Sequence, residues 1–89
     1  MPGIARVRQD AAKGVILGPG ASTVFADGKN VALIGDKVQP HGKAPHSAPT
    51  LSTNGSPTVR ADGGIPAKQG TVATCGHNVA KASSTVFVS

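Results

Sequence analysis

Eighty-nine residues with 38% hydrophobic content, a formal net charge of +5 and two phenylalanines as the only aromatics can close one thin core but not two, so a single domain spanning 1–89 is expected. The lone Cys75 excludes the internal disulfide that usually braces so small a core, which leaves a metal ion as the candidate staple. Apolar runs such as Val15 to Leu17 are far too short to span a bilayer and no export-type apolar segment follows Met1-Pro2-Gly3, so neither a spanning helix nor a conventional leader is expected.

From the start, "GIARVRQD" (3–10) aligns with "NVALIGDK" (30–37), the second half of a longer unit that follows. The intervening "LGPGAST" (17–23) has glycines in the manner of a phosphate-binding loop but lacks the GK[ST] ending, and no helical periodicity follows it. Residues 20–35, "GASTVFADGKNVALIG", then match 55–70, "GSPTVRADGGIPAKQG", at a constant offset of 35 with eight identities in sixteen positions. "SSTVFVS" (83–89) repeats the first half once more, as though the chain had been opened inside one of three units.

Each unit reads as a β-hairpin plus a connecting loop. Thr-Val-Phe or Thr-Val-Arg forms the first strand, and Asp27-Gly28 or Asp62-Gly63 supplies the positive φ of a tight turn before the second. Strand alternation places Val24, Val59 and Val86 on one face and Phe25, Arg60 and Phe87 on the other. A lone hairpin is unstable in water, so the three are expected to pack round an approximate threefold axis. Glu is absent and no window has helical apolar spacing, so almost no helix is expected.

Two connecting loops hold every His and Cys of the chain. His41 and His46 flank "GKAP", and Cys75 and His77 are separated only by Gly76. Three nitrogens and one thiolate make a closed tetrahedral set suited to a structural Zn(II), with no position left for a catalytic water and no histidine left to serve as a base. The four aspartates read as turn and repeat residues rather than an acid pair. Catalysis is not expected. The positive charge suits a polyanion, yet the nine Lys and Arg are scattered singly apart from Arg6 and Arg8, with no aromatics between them to stack bases. These cations read as a solvated surface, and a zinc-stabilised nucleic-acid-binding module is the alternative functional class.

"STVFADGKNVALIGDKV", "SPTVRADGGIPAKQG" and the closing "SSTVFVS" resemble the PAAR-repeat proteins that tip the central spike of contractile injection machines, among them phage tails and type VI secretion systems. The resemblance runs from "PGIARV" to "TVFV". It implies a small cone of β-hairpins with pseudo-threefold symmetry, stapled near its apex by one zinc on His41, His46, Cys75 and His77. It implies as partner a trimeric β-helical spike, VgrG-like or a phage central spike, with one tip per trimer. The target outer membrane would be met transiently during piercing, and effector cargo could dock. The implied location is the tip of a phage tail or virion, or the cytoplasm before secretion. The naming tetrapeptide is absent in its literal form: Gly3-Ile4-Ala5-Arg6, Asn30-Val31-Ala32-Leu33 and Ile65-Pro66-Ala67-Lys68 take its places. Lys13 stands where many relatives carry a loop histidine, Arg60 replaces an expected apolar residue, and with the last strand ending beside Ser89 no fused effector is expected.

Overall fold

Three short segments, 3–7, 30–34 and 65–69, are tied into a ring by two closed sets of backbone hydrogen bonds that run in opposite senses. The Ala5 N–H donates to the Ala67 carbonyl at 2.9 Å, Ala67 to Ala32 at 2.8 Å, and Ala32 back to Ala5 at 3.0 Å. A second closed set surrounds it: Val7 to Asn30 at 2.8 Å, Ile34 to Ile65 at 2.8 Å, and Gln69 to Gly3 at 2.9 Å. The corresponding β-bridges are Ile4 with Lys68, Arg6 with Val31, and Leu33 with Pro66. The three repeats therefore surround one axis, as the sequence predicts. These relations come from a computed structural model of the chain that describes residues 3–40, 42, 47 and 49–88.

Seven short strands and no helix occur among the described residues. Strands β1 (Ala11–Ala12), β2 (Gly14–Gly18) and β5 (Lys37–Val38) form one antiparallel sheet; β3 (Phe25–Ala26) pairs with β4 (Lys29–Asn30), and β6 (Leu51–Thr53) with β7 (Val72–Ala73). The fold is all-β, a small pseudo-threefold cone of hairpins. Its extents of 33 × 22 × 22 Å, two of them equal, are those of a body elongated along one axis.

The ring of segments divides the interior. Alternate side chains on a strand point to opposite faces. Ala5, Ala32 and Ala67 accordingly join Ile16, Val38, Leu51 and Val79 in a core toward the connecting loops. Their neighbours Ile4 and Val31 join Ala21, Ala26, Ala61 and Val88 in a second core under the hairpins. The three axial alanines are fully buried. A single methyl group lets three backbones approach closely enough to exchange these bonds.

The hairpin turns form as expected. Asp27 and Gly28 have φ of 54° and 80°, and Asp62 and Gly63 have 50° and 79°, the two positive values of a type I′ turn. Val24 and Val86 pack against the hairpin core, whereas Phe25, Arg60 and Phe87 face solvent. Val59 is turned inward least of its set, at 37% exposure. Gly20, in the sequence that looks like a phosphate loop, has a packing role: a Cβ there would lie 2.5 Å from Val7 and 2.7 Å from the Val31 carbonyl oxygen.

The two turn aspartates also clasp the neighbouring unit. Asp62 accepts from the Thr23 backbone N–H at 2.9 Å and from the hydroxyls of Thr23 and Ser22. Asp27 accepts from Ser83 Oγ at 2.6 Å, from Thr85 Oγ1 and from Arg6 Nη1 at 2.8 Å. Arg6 is buried rather than solvated as the charge pattern suggests. Its Nε and Nη2 grip Asp10 at 2.9 and 3.0 Å, and Asp10 raises the guanidinium pKa further. The third unit departs from the expected alignment by one residue. Asp10 Oδ2 accepts the Arg6 N–H four residues back, whereas Asp36 and Thr71 accept from Leu33 and Lys68 three residues back.

Two outcomes follow from this packing. Ala67→Leu forces a larger side chain onto the axis and lowers unfolding stability by about 1–3 kcal/mol, measured by urea denaturation; an unchanged midpoint would contradict the axial assignment. Hydrogen bonds, from Ser83 and Thr85 to Asp27 and from Thr23 to Asp62, hold both carboxyls below their usual range. A depressed carboxyl pKa stabilises the fold fully above the unfolded value of about 3.9, and that contribution disappears as pH falls through the folded value. Asp27→Asn/Asp62→Asn is therefore less stable than the parent at pH 7, and the difference narrows below pH ~4. Equal differences at both pH values would exclude the clasp.

Candidate metal centre

The third connecting loop is a tight turn. The Ala73 carbonyl accepts the Gly76 N–H at 2.9 Å, the His77 carbonyl accepts the Ala73 N–H at 2.8 Å, and Gly76 takes a φ of 90°. This three-residue hairpin loop with a left-handed glycine aims the side chains before and after Gly76 toward each other. Cys75 Sγ lies 3.5 Å from His77 Nδ1. Cys75 is 8% exposed and packs against the loop-side core, while His77 is half-buried.

That separation tests whether a metal fits. With Zn–S of about 2.3 Å and Zn–N of about 2.0–2.1 Å, a sulfur and a nitrogen on one tetrahedral ion stand about 3.5–3.6 Å apart. The pair has the spacing of one edge of such a tetrahedron. It is also the spacing of a thiol–imidazole hydrogen bond, so metal content rather than this distance distinguishes the two. The other two predicted ligands, His41 and His46, lie outside the described residues. Among the described residues no group of three His, Cys, Asp or Glu side chains comes together.

The feet of the histidine-bearing loop are well defined. The Gln39 N–H donates to the Val15 carbonyl at 2.8 Å and Val38 to Pro49 at 2.9 Å. On the far side, Thr74 N–H donates to the Thr50 carbonyl at 2.8 Å, and Thr50 N–H to Thr74 Oγ1 at 3.1 Å. One foot of the loop, at Thr50, thus stands beside the Cys75 turn, and the other, at Gln39, beside the strand that leaves the first connecting loop at Lys13. The repeat accounts for this gathering of loops. Cys75 and His77 were legible as a pair from their spacing round Gly76.

The opposite end presents apolar surface. Phe25 and Phe87 are 58% and 50% exposed, and Val59 and Ile65 on the remaining hairpin are also exposed. Among the described residues no helix is long and apolar enough to cross a membrane.

A family model described as the PAAR motif matches residues 8–81. None of the curated proteins compared with the chain matches it significantly. The motif covers both connecting loops that carry His and Cys, and it meets a structure in which three hairpin units close about one axis through Ala5, Ala32 and Ala67. The chain belongs to the PAAR-motif family.

Proposed function

We propose that this protein is a structural, non-enzymatic tip that caps and sharpens a trimeric β-helical spike in a contractile tail or secretion machine. The observation that carries the reading is the closed cycle of bonds from Ala5 to Ala67 to Ala32, which gives one chain three similar faces. A threefold partner can then repeat one kind of contact three times. The hairpin end, with Phe25, Phe87, Val59 and Ile65 exposed, is the docking base, since apolar side chains gathered there gain from burial against the spike end. The loop end is the leading point. It is held by a structural zinc on His41, His46, Cys75 and His77, and its chemistry there is cross-bracing alone. The tip resides on the assembled particle or awaits loading in the cytoplasm, touches the target membrane while piercing, and can carry docked cargo.

Elemental analysis of the purified protein is expected to find one zinc per chain. Chelation at neutral pH lowers Tm by more than about 10 °C, because a structural zinc contributes on the order of several kcal/mol and each kcal/mol moves Tm by about 4–8 °C in a domain this size. An unchanged melting curve after verified metal removal would reduce the Cys75–His77 contact to a hydrogen bond.

Co-expression with a trimeric spike tests the assembly. One tip per three spike chains is expected by mass measurement, and Phe25→Ser/Phe87→Ser loses the complex while remaining folded. Failure to co-purify, together with a salt-sensitive shift of nucleic acid by the same protein, would replace the spike-tip reading with the nucleic-acid module.

A further inference from the structure

A groove of about 730 Å³ runs along the seam between the first and third units, and three cations line it: Arg8, Lys29 and Lys37. Val7, Leu17 and Pro19 contribute apolar wall beside them. No carboxylate is among its described lining residues. The carboxylates nearest in sequence are engaged elsewhere: Asp10 with Arg6, Asp27 with Ser83 and Thr85, and Asp36 with the Leu33 N–H.

The repeat supplies an internal control. Hydrogen bonds identify Arg8 with Gly35 and Gly70, since their N–H groups donate to the equivalent carbonyls of Ile16, Leu51 and Val79. The pairings Ala26–Lys29 and Ala61–Gly64 identify Lys29 with Gly64. Those of Ala11, Lys37 and Val72 with Val15, Thr50 and Asn78 identify Lys37 with Ala11 and Val72. The scaffold thus accepts glycine, alanine or valine at each of these described counterparts. Arg8 moreover holds a φ of 62° where its two counterparts are glycines at 99° and 95°. A long cationic side chain kept in a left-handed conformation, at a site where the fold itself favours glycine, points to a role beyond folding.

We propose that this groove binds a phosphate ester carrying at least two negative charges. A single carboxylate would leave the three cations undercompensated, whereas a phosphomonoester or diphosphate matches them, with arginine suited to paired phosphate oxygens. The apolar wall accommodates the body that bears the phosphate. Such a group is presented either by a soluble phosphate ester or by a lipid headgroup. The proposal rests on the groove alone and stands apart from the spike-tip reading.

Inorganic pyrophosphate and phosphatidate vesicles are the probes, each used with the full chain as purified at about 150 mM salt to screen diffuse attraction. In the groove variant, Arg8→Gly/Lys29→Gly/Lys37→Val, each cation takes its repeat counterpart, so the fold is retained and Tm verifies it. A second variant, Lys13→Gly/Arg60→Ala/Lys81→Ala, removes the same charge elsewhere. Pyrophosphate is expected to shift the Gly18, Gly28 and Gly35 amide resonances. The groove variant weakens binding at least about tenfold, the loss of one charge-assisted hydrogen bond, while the second variant changes it less than about twofold. Groove-dependent binding of phosphatidate but not phosphatidylcholine vesicles, without pyrophosphate binding, assigns the lipid source; pyrophosphate binding without vesicle binding assigns the soluble one. If neither probe binds, or both variants weaken binding equally, the proposal is overturned. Binding of duplex DNA by parent and groove variant alike, with no response to either probe, overturns it too.

Discussion

Three amide hydrogen bonds around the axis set the terms for everything else in this molecule. Ala5, Ala32 and Ala67 each donate to one neighbour and accept from the other, so none of the three segments satisfies its backbone without both partners. Buried amides must be paired, and here the pairing is cyclic. The cycle fixes the spacing of the strands, and the spacing permits only a methyl group at the centre. It also separates a hairpin-side core from a loop-side core, because neighbouring residues on each segment face opposite ways.

Once the ring is fixed, the units are free to differ outside it. Pro66 replaces the residue whose counterparts Ile4 and Val31 donate to Val86 and Val24, so one hairpin forgoes a bond that a proline cannot make. The third unit takes an additional residue before Asp10 yet keeps its carboxylate on the Arg6 N–H. The connecting loops differ most, from the short turn at Lys13 to the long segment between Gln39 and Thr50. Function concentrates where the scaffold leaves such latitude. The Cys75–His77 pair and the cationic groove both occupy positions at which the three units disagree.

The repeat made the architecture legible. Asp27-Gly28 and Asp62-Gly63 announced two hairpins, and the partial copies at the two ends announced the third. Cys75 and His77 were readable because a single glycine between two ligand types on a turn leaves them little room to diverge. Other features depend on which distant segment lies alongside, and a linear pattern does not carry that. Asp27 and Asp62 look complete as turn residues, so their clasp on Ser83, Thr85 and Thr23 had no separate signal. Arg6 looks like one more surface cation until Asp10 and Asp27 are seen to enclose it. Arg8, Lys29 and Lys37 are scattered in sequence and gather only because the first and third units meet at that seam. His41 and His46 lie outside the described residues.

The polar network has a physical logic in its location. Two of the three hairpins are closed by a type I′ turn, which holds their strands together locally. The third is assembled from residues 3–7 and 83–88, segments nearly the whole chain apart, whose meeting carries a large loop-closure cost. Ile4 and Ser83 exchange backbone bonds across that junction with Val86 and Ile4. Asp27 then reaches in from the adjacent unit and holds both sides at once, taking Arg6 from the first segment and Ser83 and Thr85 from the last. A carboxylate shared in this way resists separation of the two segments, since pulling either one away strips hydrogen bonds from a charge that the other still holds in place. The buried Arg6–Asp10 pair deepens the effect, because freeing one partner leaves the other uncompensated in the interior. The hairpin without a local turn is thus the one with the densest charge-assisted bonding, and the ring of alanines remains closed through the only junction at which chain connectivity does not enforce it.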